Sequence, residues 1–235
     1  MLLAGGVILV AALYGITVLS KSSPSATTVQ PAVQNTSTNP DDYLPEDSEL
    51  ANQSRDILAA AANETDDSRV IDLRSQLVAL YADNGRLDLA GREMGLVAER
   101  LNTADSWAQA GNLHFDWMEQ QSGNERLQAS KRASVAYEKS LTLDPENLDV
   151  RTDLGVAYLN DPASPMPAIR ETNAVLEADS NHVQANFNKG VMLLQIGRNA
   201  DAIRLFEKVK SLTDPESAAY ERANVILDQI RSEGG

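Results

Sequence analysis

The chain has 235 residues and a formal net charge of -14, with 43% hydrophobic and 23% charged residues and no cysteine. That charge argues against nucleic acid, whose phosphates recruit Lys and Arg, and against docking on anionic lipid headgroups. Without cysteine there is no disulfide, thiolate zinc site, Cys nucleophile or acylated lipoprotein cysteine in this chain.

Met1 to Leu19 read MLLAGGVILVAALYGITVL, apolar and uncharged until Lys21. The length is close to the ~20 residues a helix needs to cross hydrocarbon, so residues 1–20 are expected to be a transmembrane anchor. A cleaved signal peptide is the competing reading. Against it, no basic n-region comes first, and Pro24 stands where the cleavage site needs a small residue. Lys21 favours keeping the C-terminal side of the span in the cytoplasm, whereas the uncharged residues 22–40 cross a membrane easily. The expected topology is single-pass, with an extracytoplasmic, periplasmic soluble domain. Residues 21–43, rich in Ser, Thr, Gln, Asn and Pro, carry too little apolar surface to offset their ordering entropy and read as a flexible linker.

From residue 44 onward the apolar residues adopt a helical period. Residues 44–65 read as one amphipathic capping helix, and after it comes an internal repeat. A small residue recurs at Ala90, Ala133, Ala168 and Ala202; four residues on come Met94, Tyr137, Thr172 and Phe206, and three further Val97, Ser140, Val175 and Val209. The helix before each carries Leu77 and Tyr81, then Trp107 and Gly111, then Leu154, Gly155 and Tyr158, then Gly190 and Leu193, with Gly85 and Gly197 at turns. Between units the chain is punctuated: Pro145 cannot donate an amide to a continuing helix, so a helix stops at Leu143, and Asn147 is placed to cap the next.

These units resemble the tetratricopeptide repeat, which places Trp, Leu, Gly and Tyr on a first helix and Ala, an aromatic, Ala and Pro on a second, over 34 residues. The resemblance implies an all-α, right-handed superhelical solenoid of helix-turn-helix pairs. Four repeats are expected at about 71–103, 104–147, 148–182 and 183–217, with a C-terminal capping helix at 218–232. The second unit is the longest, so longer helices or a loop are expected there. Stacked pairs bury apolar faces that one pair alone leaves open.

Catalytic chemistry is poorly represented. The two histidines, His114 and His182, fall in different units, and no HExxH, GxSxG, phosphate loop or dinucleotide fingerprint occurs. His114 takes the slot of the first-helix tyrosine and is expected to be packed and hydrogen-bonded. His182 is expected on the surface of a turn. The chain is read as a non-enzyme with no cofactor, metal or small-molecule substrate.

Function in such a solenoid lies in the concave groove lined by the first helices. Carried over residue by residue, the resemblance places there Asp72, Asp83, Asp105, Asn112, Phe115, Asp116, Val156, Leu159, Phe187, Val191 and Leu194. The expected groove is acidic at its N-terminal end and apolar towards its C-terminal end. It would suit a peptide or helix of a partner protein carrying basic and apolar residues. The alternative for Phe187, Val191 and Leu194 is that they pack against the C-terminal helix. The resemblance extends to bacterial envelope repeat proteins of secretion or cytochrome c maturation. The function expected from it is a membrane-tethered protein–protein interaction scaffold. A second possibility is a non-catalytic, substrate-holding subunit of a membrane enzyme complex such as a cytochrome c haem lyase.

Overall fold

The computed structural model describes residues 44–45 and 48–233, so the apolar segment 1–20 and the linker 21–43 lie outside the described residues. Among the described residues no helix is long and apolar enough to cross a membrane. The described chain is all-helical: α1 (Glu49–Asn63), α2 (Asp67–Asp83), α3 (Leu87–Leu101), α4 (Ala104–Gln120), α5 (Gly123–Leu143), α6 (Leu148–Leu159), α7 (Pro165–Ala178), α8 (Val183–Gln195), α9 (Asn199–Leu212) and α10 (Ala218–Glu233).

Local chemistry explains where these helices begin and end. The side chains of Ser48, Asp66 and Asn147 accept from the amides of Ala51, Arg69 and Val150 at 3.1, 3.0 and 3.0 Å, which satisfies donors that a helix start leaves unpaired. Thr103 and Ser106 form a reciprocal capping box at the start of α4. His182 is the N-cap of α8, its Nδ1 accepting from the Ala185 amide at 3.2 Å, so this half-buried residue has a structural task that a surface turn position does not imply. Gly85 and Gly197, at φ 71° and 73°, make the left-handed turns of the first and last pairs, a region costly for other residues.

The helices pair as α2–α3, α4–α5, α6–α7 and α8–α9, with α1 and α10 packed at the two ends. Beyond sequential neighbours, α4 touches α6, α6 touches α8, and α8 touches α10. The first helices α4, α6 and α8 therefore form a common inner layer, continued by α10. Within the pairs, a small residue on the inner helix admits a larger one from the outer helix. A Cβ at Gly190 would lie 2.8 Å from the Phe206 ring, one at Gly155 would lie 3.2 Å from Thr172 Oγ1, and one at Gly111 would collide with the Tyr137 ring. The extra length of the second unit goes into its helices, with α5 reaching 21 residues.

Two pairs carry buried ion bridges in addition. Glu93, 1% exposed, holds Arg74 at 2.6 Å and Arg92 at 3.1 Å. Glu171 holds Arg151 at 2.7 Å and Arg170 at 2.9 Å, in the equivalent place two units later.

Candidate partner-binding groove

The inner layer carries most of the residues expected to line the groove, but they divide into three groups. Asp72, Asp83, Asp105 and Asn112 are exposed, and Asp105 accepts from Gln109 at 2.9 Å. Phe115, Val156 and Phe187 are buried, at 7%, 8% and 4% exposure, so they are core rather than groove surface. The reason is the tight stacking of pairs: Phe115 and Val156 meet Tyr137, Leu154 and Ala157 in one cluster spanning α4, α5 and α6. Asp116, Leu159, Val191 and Leu194 are half-buried at the boundary. Val191 and Leu194 pack against a cluster that joins Phe187 and Phe206 to Ala223, Ile226 and Leu227 of α10. The C-terminal helix thus covers the apolar end.

The middle of the inner layer is the electrostatically unusual part. Tyr137 reaches it from α5 because Gly111 offers no Cβ; its ring meets the Phe115 ring edge-on at 6.4 Å, and its hydroxyl donates to Asn112 Oδ1 at 2.9 Å. Around that phenol gather carboxylates of two helices, Asp116 and Glu119 on α4 and Asp153 on α6. Burial first, then these three charges, push the Tyr137 phenol well up. Asp153 itself is pushed up to about 7, by burial first and then by Asp149, Glu119 and Asp116. Burial raises Asp116 as well. Burial and Asp116 raise Glu119, opposed by Arg126 and Arg222.

The cations nearby are held by other groups. Arg126 donates through Nε to Asn160 Oδ1 at 2.7 Å and through Nη1 to the Met118 carbonyl at 3.1 Å. Arg222 extends from α10 and lies over the Phe187 ring at 5.2 Å, in electrostatic reach of Glu119. Asp149, exposed, lies 3.8 Å from His182 Nε2. Asp153 takes no hydrogen bond or ion pair from the described residues. Among those residues, no three His, Asp or Glu side chains converge closely enough to hold a metal ion.

Glu119, Tyr137, Asp153 and Arg222 lie outside the groove positions that the resemblance implies. The available signal is spacing: Asp149 and Asp153 are four residues apart and Asp116 and Glu119 three, so each pair shares a helix face. His114 is buried at 6% exposure, against Gly91, but its Nδ1 has no hydrogen-bond partner. Burial first, and then Arg132, lower it to about 3, which keeps the ring neutral. It is a packed core residue, without the expected hydrogen bond at Nδ1.

No family model matches the sequence, and no curated protein matches it. Solved structures do. A crystal structure of MamA aligns at a TM-score of 0.50 and 16% identity, over 67% of this chain and 83% of that one. A second MamA crystal structure aligns at 0.49 and 15% identity, over 70% and 87%. The TPR2AB domain of yeast Sti1, in its complex with pHSP90, aligns at 0.36 and 16% identity, over 76% and 77%. At such identity the first of these speaks for the fold alone: stacked helix pairs, as in proteins containing tetratricopeptide repeats.

Proposed function

We propose that this chain is a non-catalytic scaffold that binds a segment of a partner protein along the inner layer formed by α4, α6 and α8. One observation carries the reading: helices from successive pairs bring carboxylates together around Tyr137 and leave Asp153 without a cation from the described residues. Folding alone has no use for such crowding, because like charges in a half-buried cleft oppose it. A segment with basic and apolar residues would neutralise these carboxylates and cover the half-buried Leu159 of the same inner layer. The apolar residues 1–20 would tether the scaffold to a membrane, with the uncharged linker holding it near membrane partners at raised effective concentration, on the periplasmic face.

Site-specific photocrosslinking in cells tests the binding face. A photoreactive residue at Asn112 or Leu159 is expected to capture a protein partner, whereas one at Val135, exposed on α5, is not. Equal capture at Val135, or none at the two inner positions, would overturn the proposal. Protease protection in intact cells tests the tether and its orientation.

A further inference from the structure

The first and last helix pairs make the same turn from different residues. Gly85 donates to the Ala82 carbonyl at 3.0 Å and Arg86 to the Tyr81 carbonyl at 2.8 Å. Gly197 and Arg198 repeat the pattern on the Leu194 and Leu193 carbonyls, both at 2.9 Å. The residue before the glycine is Asn84 in one turn and Ile196 in the other, so the turn itself does not call for a carboxamide. Asn84 is also the only asparagine of the sequence that precedes a glycine.

That dipeptide carries chemistry of its own. The backbone nitrogen that follows an asparagine can close a five-membered ring on the side-chain Cγ, and a Cβ on the following residue hinders the approach. Gly85 has no Cβ, and no group beyond its chain neighbours lies within 4 Å of where one would stand. Asn84 is exposed. In the closed turn both reacting groups are occupied: Asn84 Nδ2 donates to the Leu80 carbonyl at 2.8 Å, and the Gly85 amide to Ala82. Both bonds lie at the end of α2, where local opening costs least, so the reaction runs through the opened turn.

We propose that Asn84-Gly85 is a self-modification site, where the chain deamidates through a succinimide. The deprotonated Gly85 nitrogen attacks Asn84 Cγ; the N–Cγ bond forms, the Cγ–Nδ2 bond breaks, and ammonia leaves with a proton taken from water. A water molecule then opens the ring at either carbonyl. One opening gives aspartate, the other isoaspartate, in which the backbone runs through the side chain. Either product puts a carboxylate where a donor held the Leu80 carbonyl, beside Asp83 and at the negative end of the α2 dipole. The modified turn holds α2 and α3 less firmly, so the first pair ages and the last does not.

The test ages the full chain in detergent micelles at mildly alkaline pH and follows its tryptic peptides by mass spectrometry. The peptide from Ser75 to Arg86 is expected to gain the mass of an amide-to-acid exchange before any other asparagine peptide, as a mixture of isoaspartate and aspartate. Urea, which opens the turn, is expected to speed the conversion severalfold. Asn84→Gln, whose longer side chain closes such a ring far more slowly, is expected to keep that peptide unmodified. Hydrogen exchange in the aged wild-type protein is expected to rise in α2 and α3 and to stay unchanged in α8 and α9. An unaltered Ser75 to Arg86 peptide, aspartate without isoaspartate, or an aged protein whose α2 and α3 exchange as before would overturn the proposal.

Discussion

Tyr137 fits where it does only because residue 111 is glycine. A Cβ at that position collides with the ring, and both partners are fixed in helices, so neither yields easily. Gly111→Ala is expected to cost about 1–3 kcal/mol in urea unfolding. It should also loosen the Tyr137 to Asn112 hydrogen bond, so the variant should report on the cleft as well as on α4 and α5. An unchanged midpoint would mean that the two helices separate freely. Asp153 gives the opposite prediction, a substitution that stabilises. Its folded pKa of about 7 lies above the ordinary value of 3.8, so the folded state holds the proton more tightly. The stability this contributes is complete below 3.8 and is lost as pH rises through about 7. The groups facing it are Asp149, Glu119 and Asp116, with Arg222 and Arg126 acting on Glu119 and His182 near Asp149. Asp153→Asn should therefore melt above the parent at about pH 8 and level with it near pH 4. A parallel loss at both pH values would show that the carboxylate is not crowded. Tyr137 is legible in the sequence as the aromatic of a repeat. Asp153 is legible only in part: Asp149, four residues before it, shares its helix, but Glu119 and Asp116 arrive from another helix pair.

At the level of the helix pair, the units solve the same contact in two ways. The α4–α5 and α8–α9 pairs drive Tyr137 and Phe206 into glycine notches, and there the aromatic ring fills the gap. The α2–α3 and α6–α7 pairs have Met94 and Thr172 in that place, and each instead buries a glutamate between two arginines. Glu93 makes the stronger case, since it is nearly inaccessible while its arginines keep some contact with solvent. Glu93→Ala would leave Arg74 and Arg92 facing each other without their shared carboxylate. The expected cost is about 3 kcal/mol, with a lower denaturant midpoint and an unchanged helical spectrum before the transition. A loss below about 0.5 kcal/mol would reduce the bridge to a surface pair. The positions of the pairs are legible, because Ala90, Ala133, Ala168 and Ala202 share one register with the residues four further on. The bridges carry a signal too: Arg-Glu comes after the register alanine at the same distance in Arg92-Glu93 and Arg170-Glu171. Only the alignment of one unit on another makes that dipeptide stand out from the many charged pairs of an acidic chain.

Over the whole molecule, the stack depends on its ends, since each pair draws its stability chiefly from its neighbours. The C-terminal end is closed by α10, whose Ala223, Ile226 and Leu227 complete the cluster around Phe187 and Phe206. The same helix brings Arg222 within electrostatic reach of the Glu119 carboxylate three pairs back, so it closes the core and trims the charge of the groove at once. An amphipathic helix at 218–232 is legible from periodicity, but its reach is not, because that depends on how the inner layer bends. The sign of the groove is likewise legible from a net charge of -14, whereas its centre depends on which helices end up adjacent. Ending the chain at Ser217 separates these roles. Hydrogen exchange is expected to speed up in α8 and α9, which lose their apolar cover, and to stay near the parent rate in α2 and α3. Glu119 would lose a counter-charge, so the cleft should become more sensitive to salt even though its own helices stay folded. Uniform acceleration from α2 to α9 would instead make the stack one cooperative unit, with α10 needed by every pair rather than by the last.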